Sequence, residues 1–213
     1  MSNTVLAGLY VLTNDEPQAS DALIERVEAA IRGGARLVQY RRKGAAVELR
    51  RSEAAALRSL CHEAGVPLII NDDVALAREV GADGVHLGRH DTRLSAARTV
   101  LGARTLIGIS CYASLSRAQA AVADGADYVA FGRFFPSVSK PDATAATVDL
   151  LPRARAALSV PVVAIGGITP ENGAALLAAG ADMLAVIHGV FGQPDITAAA
   201  RRYAGLFAPT APR

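Results

Sequence analysis

Of the 22 basic residues in this chain, twenty are arginine and two are lysine, Lys43 and Lys140. An ammonium is a compact, strongly hydrated charge and a guanidinium a flat fork. A chain that keeps lysine at two positions only either wants the smaller ion there or retains it by chance. Lys43 closes the run Gln39-Tyr-Arg-Arg-Lys43, and Lys140 closes Ser137-Val-Ser-Lys140. Alternate residues of an extended chain share a face, so Gln39, Arg41 and Lys43 are expected to point together. Like charges brought together need an anion, and a phosphate group suits two cations and an amide. Ser137, Ser139 and Lys140 read as a second, hydroxyl-rich anion cradle. Asp72 of Asn71-Asp72-Asp73 and Asp91 of Gly88-Arg-His-Asp91 supply hard oxygen donors. Two carboxylates suit Mg2+, which completes its shell with phosphate oxygens and waters. The plainer alternatives are ion pairs between these carboxylates and Arg41 or Lys43, and Asp73 as a helix cap. Ser110 is either a phosphate ligand or another cap, and no GxSxG surrounds it. His86 sits in the apolar run Gly84-Val-His-Leu87 and reads as a core histidine. Neither it nor His90 has a second His or Cys at zinc spacing. Gly166-Gly167-Ile168 and Ile187-His188-Gly189 could let backbone N–H groups approach a phosphate.

The elements that must position these residues alternate along the chain. Apolar runs at residues 8–13, 37–41, 67–71, 84–87, 105–110, 128–131, 160–165 and 183–187 read as strands covered on both faces. Helical patterns separate them, for example Leu23, Val27, Ala30 and Ile31 with Ser20 as N-cap, and a helix opened by Thr169-Pro170. Gly34-Ala-Arg, Gly81-Ala-Asp, Gly125-Ala-Asp and Gly180-Ala-Asp share one design, a left-handed glycine ending a helix just before a strand. Eight such units predict an α/β protein, a single (β/α)8 TIM barrel over residues 1–213 with a frayed tail at 208–213. An open doubly wound sheet is the alternative, but the first strand runs into Leu12-Thr-Asn-Asp-Glu-Pro rather than a glycine-rich turn. In a barrel the residues singled out above follow strands 2 to 8 and meet at one rim, where such folds carry their sites.

Composition narrows the function classes. The chain has 213 residues, 51% of them hydrophobic, enough for a sizeable core. Its net charge of +2 comes from scattered residues, which gives no reason to expect nucleic-acid or membrane binding. Two cysteines, no apolar run of 18 residues and no signal-like N-terminus lead to the expectation of a reduced, cytoplasmic protein.

Taken in order, Gln39-x-Arg41-x-Lys43, Asn71-Asp72-Asp73, residues 81–88 with Asp91, Ser110, Ser137-x-Ser139-Lys140 and Gly166-Gly167-Ile168 resemble the thiamine-phosphate synthase family, from about residue 9 to residue 207. Both lysines fall on motif positions. The resemblance implies a transferase that joins 4-amino-2-methyl-5-(diphosphooxymethyl)pyrimidine to 4-methyl-5-(2-phosphooxyethyl)thiazole with release of diphosphate. It assigns Gln39, Arg41, Lys43, Asn71, Ser110 and Lys140 to the pyrimidine diphosphate, with Arg41, Lys43 and Lys140 as the catalytic cations. It gives Mg2+ to Asp72 and Asp91, and the thiazole phosphate to Ser137, Ser139, Gly167, Ile187 and His188. The expected partners are these two phosphorylated small molecules, with a homodimer left open. His188 departs from the family pattern, where a small or hydroxyl residue is common. The competing readings are a thiazole tautomerase of the same superfamily, an aldolase with a Schiff-base lysine, and a catalytically silent phosphate-binding protein.

One prediction follows from the placement of Lys140. Lys140→Ala is expected to slow turnover by roughly 10- to 100-fold, the worth of one charge-assisted hydrogen bond to a leaving diphosphate, with little change in KM for the thiazole phosphate. Steady-state kinetics with each substrate varied in turn checks this. Unchanged turnover with a raised thiazole KM would reassign Lys140 to the other substrate.

Overall fold

The computed structural model describes residues 6–15, 19–136 and 145–207. Its strands are β1 (Gly8–Leu12), β2 (Ala35–Tyr40), β3 (Leu68–Asn71), β4 (Gly84–Leu87), β5 (Leu106–Tyr112), β6 (Tyr128–Phe131), β7 (Val162–Ile165) and β8 (Met183–Val186). All pair in parallel and in sequence order, and β8 returns to β1, so the sheet closes on itself. The helices between them are α1 (Ser20–Arg32), α2 (Val47–Glu63), α3 (Val74–Val80), α4 (Leu94–Leu101), α5 (Leu115–Ala123), α6 (Leu150–Ala157) and α7 (Pro170–Ala178). A single-turn α8 (His188–Phe191) and α9 (Ile196–Ala204) follow β8. The protein is the (β/α)8 barrel that the alternation predicts.

Strand side chains alternate between two cores, which is why the strands read as continuous apolar runs. Val11, Val38, Leu68, Val85, Ile107, Val129, Val162 and Leu184 face outward and are buried under the helices. Tyr10, Leu37, Ile69, Tyr128, Val163 and Met183 face inward and fill the barrel. β4 and β5 bring glycine into that interior. A Cβ at Gly108 would overlap the Tyr128 ring, so this glycine makes the space that the tyrosine occupies.

The repeated Gly-Ala-Asp units have a physical role beyond ending helices. All four glycines have positive φ: Gly34 103°, Gly81 63°, Gly125 94° and Gly180 113°. The three aspartates then reach across to the neighbouring strand. Asp83 accepts from the N–H of Leu68 at 2.8 Å, Asp127 from Ile107 at 2.7 Å and Asp182 from Val162 at 2.8 Å. Asp83 and Asp182 cap the first N–H of the preceding strand, and Asp127 caps the second N–H of β5, whose first, at Leu106, donates to the Asp83 carbonyl. Each also meets an arginine of a helix: Arg58, Arg98 or Arg155.

Local capping is partly as the sequence predicts. Thr169 caps α7 in a reciprocal capping box with Asn172, with Pro170 in the first turn. Asp73 caps α3. Ser20 does not cap α1. The N-cap is Ala19, and the Ser20 hydroxyl instead donates to Glu53 Oε1 at 3.0 Å. Glu53 is fully buried, and it also accepts from the Tyr40 hydroxyl and from Arg42, both at 2.7 Å. Three donors compensate the desolvation of that carboxylate and tie α2 to the end of β2.

The strand-start aspartates yield a stability prediction. Asp182→Ala should lose about 1–3 kcal/mol, because it strands the Val162 N–H, and Arg155→Ala less than about 1 kcal/mol, because the Arg155 side chain is 63% exposed. Urea unfolding of both variants distinguishes them. Equal losses would mean that the ion pair, and not the backbone cap, carries the effect.

Candidate active site

The C-terminal ends of the strands surround a cavity of about 410 Å3. Gln39 lines it from β2, Arg41 from just after it, Asn71 from β3, Ser110 from β5, Gly167 after β7, and Ile187 and His188 after β8. Seven of the residues picked from the sequence therefore meet in one space. Lys43 and Asp72 face an adjoining groove, which shares Asn71 with the cavity. β2 ends at Tyr40, so the strand period no longer governs Lys43, three residues further on. Ser137, Ser139 and Lys140 lie outside the described residues.

Arg41 is held from two sides. Thr13 continues the β1–β2 ladder through its hydroxyl, accepting from the Arg41 N–H at 2.8 Å and donating to the Arg41 carbonyl at 2.9 Å. Asp15 pairs with the Arg41 guanidinium and accepts from the Lys43 N–H at 2.6 Å. Asp15 lies in the loop after β1, where no motif announces it. The Arg41 cation is thus part-neutralised, and the loop that carries Lys43 is anchored.

Lys43 Nζ lies 2.8 Å from Asp72 Oδ2. Asp72 and Asp91 lie close enough to shift each other's protonation in opposite directions, as neighbouring carboxyl groups do. Burial acts to raise Asp72, but the Lys43 ammonium and the adjacent Asp91 hold it below the ordinary carboxylate range. Asp91 is raised by burial and by the neighbouring Asp72, against the Gly88 N–H that donates to it at 2.6 Å. Asp72 also sits at φ 62°, in the left-handed region that side chains other than glycine rarely adopt. No group of three or more His, Cys, Asp or Glu suited to a metal occurs among the described residues. Two neighbouring carboxylates are nonetheless a fitting donor set for Mg2+, because a hard cation offsets the repulsion between them and needs few protein ligands.

The cavity floor is a polar network that strand patterning does not announce. Gln39 Nε2 donates to the Tyr10 hydroxyl at 2.5 Å. The Tyr10 and Tyr128 hydroxyls lie 3.0 Å apart. His86 Nδ1 lies 3.1 Å from the Tyr128 hydroxyl, and His86 Nε2 lies 2.9 Å from Ser110 Oγ. His86 is the satisfied core histidine expected of its apolar strand, yet it also lines the cavity. Burial raises both phenols above their ordinary value, so they remain protonated donors. Gln39 Oε1 is buried and has no hydrogen-bond partner. Ser110 caps no helix; Ser114 caps α5.

The far wall is built from glycine. Gly166 and Gly167 have φ 104° and 63°, and a Cβ at Gly167 would overlap the backbone of residues 135 and 136. Only glycine lets the chain turn there with its backbone against the cavity. His188 is exposed, and its ring covers Gly192. Arg133 also lines this wall. The sequence contains it next to Gly132, but nothing in its spacing singles it out.

A sequence profile described as "Thiamine monophosphate synthase" matches residues 9–190. The thiamine-phosphate synthase of Thioalkalivibrio sulfidiphilus (strain HL-EbGR7) is 54% identical over 202 residues, covering 95% of this chain and 96% of its own. That of Azoarcus sp. (strain BH72) is 56% identical over 205 residues, covering 95% and 98%. Among solved structures, the thiamine phosphate pyrophosphorylase from Pyrococcus furiosus superposes with a TM-score of 0.85 at 33% identity, covering 96% of each chain. Order of motifs, fold and overall similarity agree: this chain belongs to the thiamine monophosphate synthase family and is a transferase of thiamine biosynthesis.

Proposed function

We propose that this chain joins 4-amino-2-methyl-5-(diphosphooxymethyl)pyrimidine to 4-methyl-5-(2-phosphooxyethyl)thiazole, giving thiamine phosphate and diphosphate. The observation that carries the reading is the cluster of Lys43, Asp72 and Asp91 beside the cavity. A mere phosphate binder, or an isomerase with no diphosphate to expel, has no use for a coupled carboxylate pair on a left-handed backbone beside a lysine at this rim.

The bond changes are simple. The thiazole nitrogen uses its lone pair to form the new C–N bond at the pyrimidine methylene, and the C–O electron pair leaves with diphosphate. The nitrogen has no proton to lose, so no general base is required. The pyrimidine amino group donates electron density toward the methylene as the C–O bond stretches, which favours a dissociative path. What the protein must supply is stabilisation of the leaving charge and alignment of two reactants. Arg41, Lys43 and Lys140 supply positive charge for the diphosphate. Asn71 and Ser110 offer hydrogen bonds beside it, and Gln39 Oε1 is an open acceptor for the pyrimidine amino group. Asp72 and Asp91 would hold Mg2+, which when bound offsets charge on the diphosphate oxygens. Gly167, Ile187 and the backbone at His188 would receive the thiazole phosphate, at the position after strands 7 and 8 where barrels of this type bind phosphate, together with Ser137 and Ser139.

The deciding experiment mixes both substrates with Mg2+ and follows diphosphate. Release that requires the thiazole phosphate supports the synthase. No release, or release independent of thiazole, overturns it.

Asp91→Asn separates metal binding from folding. Because folding favours the protonated form of Asp91, its charge opposes folding once the pH rises above the raised pKa. Asparagine removes that charge and still accepts from Gly88. We expect turnover to fall on the order of 100-fold or more, while Tm at neutral pH holds or rises by about 1–2 °C. Mg2+ should raise the Tm of the native protein and not of the variant. A marked fall in Tm with turnover intact would make Asp91 a loop anchor instead.

A further inference from the structure

The hydrogen-bond network beneath the cavity has a direction, which follows from the orientation of the Gln39 amide and a count of protons. Gln39, Tyr10, Tyr128, His86 and Ser110 come from β2, β1, β6, β4 and β5, and four contacts of 2.5–3.1 Å link them in that order. Each contact needs one hydrogen. The Gln39 amide supplies the first, to the Tyr10 oxygen. The Tyr10 hydroxyl then donates to Tyr128, and the Tyr128 hydroxyl donates to His86 Nδ1. His86 must therefore carry its proton on Nε2 and donate to Ser110 Oγ. That leaves the Ser110 hydroxyl hydrogen for the cavity, and Gln39 Oε1 bare at the other end. A doubly protonated imidazole would leave one of the two phenol hydrogens without an acceptor in the chain.

The chain could run the other way only as a whole. Turning the Gln39 amide over would make Tyr10 its donor, reverse every later contact and convert Ser110 into an acceptor. The two ends are thus coupled through the barrel: an acceptor at Gln39 goes with a donor at Ser110. The groups that transmit this are at most 8% exposed, and Gly108 makes the room for the Tyr128 ring that links them. Tyr128 also stacks on His86 at 5.5 Å and meets Tyr10 edge-on at 6.1 Å, so the linkage is held by packing as well as by hydrogen bonds.

We infer that Tyr10, Tyr128 and His86 are positioning residues that set substrate specificity, by fixing Gln39 as an acceptor and Ser110 as a donor on opposite walls of the cavity. The ligand class this selects carries an N–H donor at the Gln39 wall and an anionic or other acceptor oxygen at the Ser110 wall. An aminopyrimidine diphosphate meets both conditions. Its 4-oxo analogue sets an acceptor against the Gln39 oxygen, and relief by turning the amide costs the donor that Ser110 offers the diphosphate. The choice of ligand rests on the function proposed above; the direction of the network does not.

Two measurements test this. The first is 15N NMR of His86 in the ligand-free native protein at mildly alkaline pH, where an imidazole is neutral. The expected spectrum has a protonated Nε2 and a bare Nδ1. A protonated Nδ1, or exchange between tautomers, overturns the proposal. The second compares kcat/KM for the 4-amino substrate and its 4-oxo analogue. Tyr128→Phe should shrink that ratio by roughly tenfold, the worth of one buried hydrogen bond, and should release the tautomer preference. Tyr10→Phe should shrink the ratio while leaving the His86 tautomer in place, because the Tyr128–His86 contact survives. It also serves as the test if Tyr128→Phe does not fold. Unchanged ratios in these variants would overturn the specificity role. If the native protein releases no diphosphate from either pyrimidine, the proposed function fails, while the tautomer result still decides the network.

Discussion

Closure of the sheet is the constraint on which everything else depends. Eight parallel strands leave no free edge only if β8 meets β1, which it does along Gly8–Met183 to Val11–Val186. Most strands have only four residues, so each ladder contributes few hydrogen bonds and the ends matter. At the bottom, Asp83, Asp127 and Asp182 each cap an N–H at the start of the preceding strand and keep register at little cost in length. Closure then dictates where chemistry can occur. All eight strands point their C-terminal ends to one rim, and the polar residues beyond each strand have no other place to meet.

The rim gathers charge that would be unfavourable without a ligand. Lys43 and the Asp72–Asp91 pair form one cluster, with one carboxylate pushed down and the other up. The left-handed backbone at Asp72 and the unpartnered oxygen of Gln39 belong to the same pattern. Local strain and an unsatisfied polar group are costs that a folded chain tolerates where binding repays them. The strand-start aspartates at the opposite end show none of this: each has both a backbone donor and an arginine.

The barrel interior divides into two zones for a similar reason. Toward the bottom it is filled by Leu37, Ile69 and Met183, which ask for no partner. Toward the rim it holds Tyr10, Gln39, His86, Tyr128 and Ser110, whose polar atoms pair with one another beneath the cavity and leave Gln39 Oε1 and the Ser110 hydroxyl hydrogen for a ligand. A satisfied network of this kind is rigid, and its rigidity carries the order of donors and acceptors from one wall to the other.

Much of this protein was legible in its residues alone. Strand runs covered on both faces, helices ended by left-handed glycines and the order of short polar motifs determine the barrel and the set of rim residues, because each of these signals is local. Thr169 with Pro170 opens a helix for the same reason. Only the tertiary structure decided which side chains meet. Ser20 has the chemistry of a cap, but Glu53, 33 residues away, receives its hydroxyl instead. Asp15 looks like loop filler until closure sets it against Arg41. His86 reads correctly as a buried histidine, yet its partners come from β5 and β6. Periodicity tells which face a residue takes; it says nothing about what stands across a closed barrel. That depends on strand tilt, side-chain length and the space that a glycine such as Gly108 leaves.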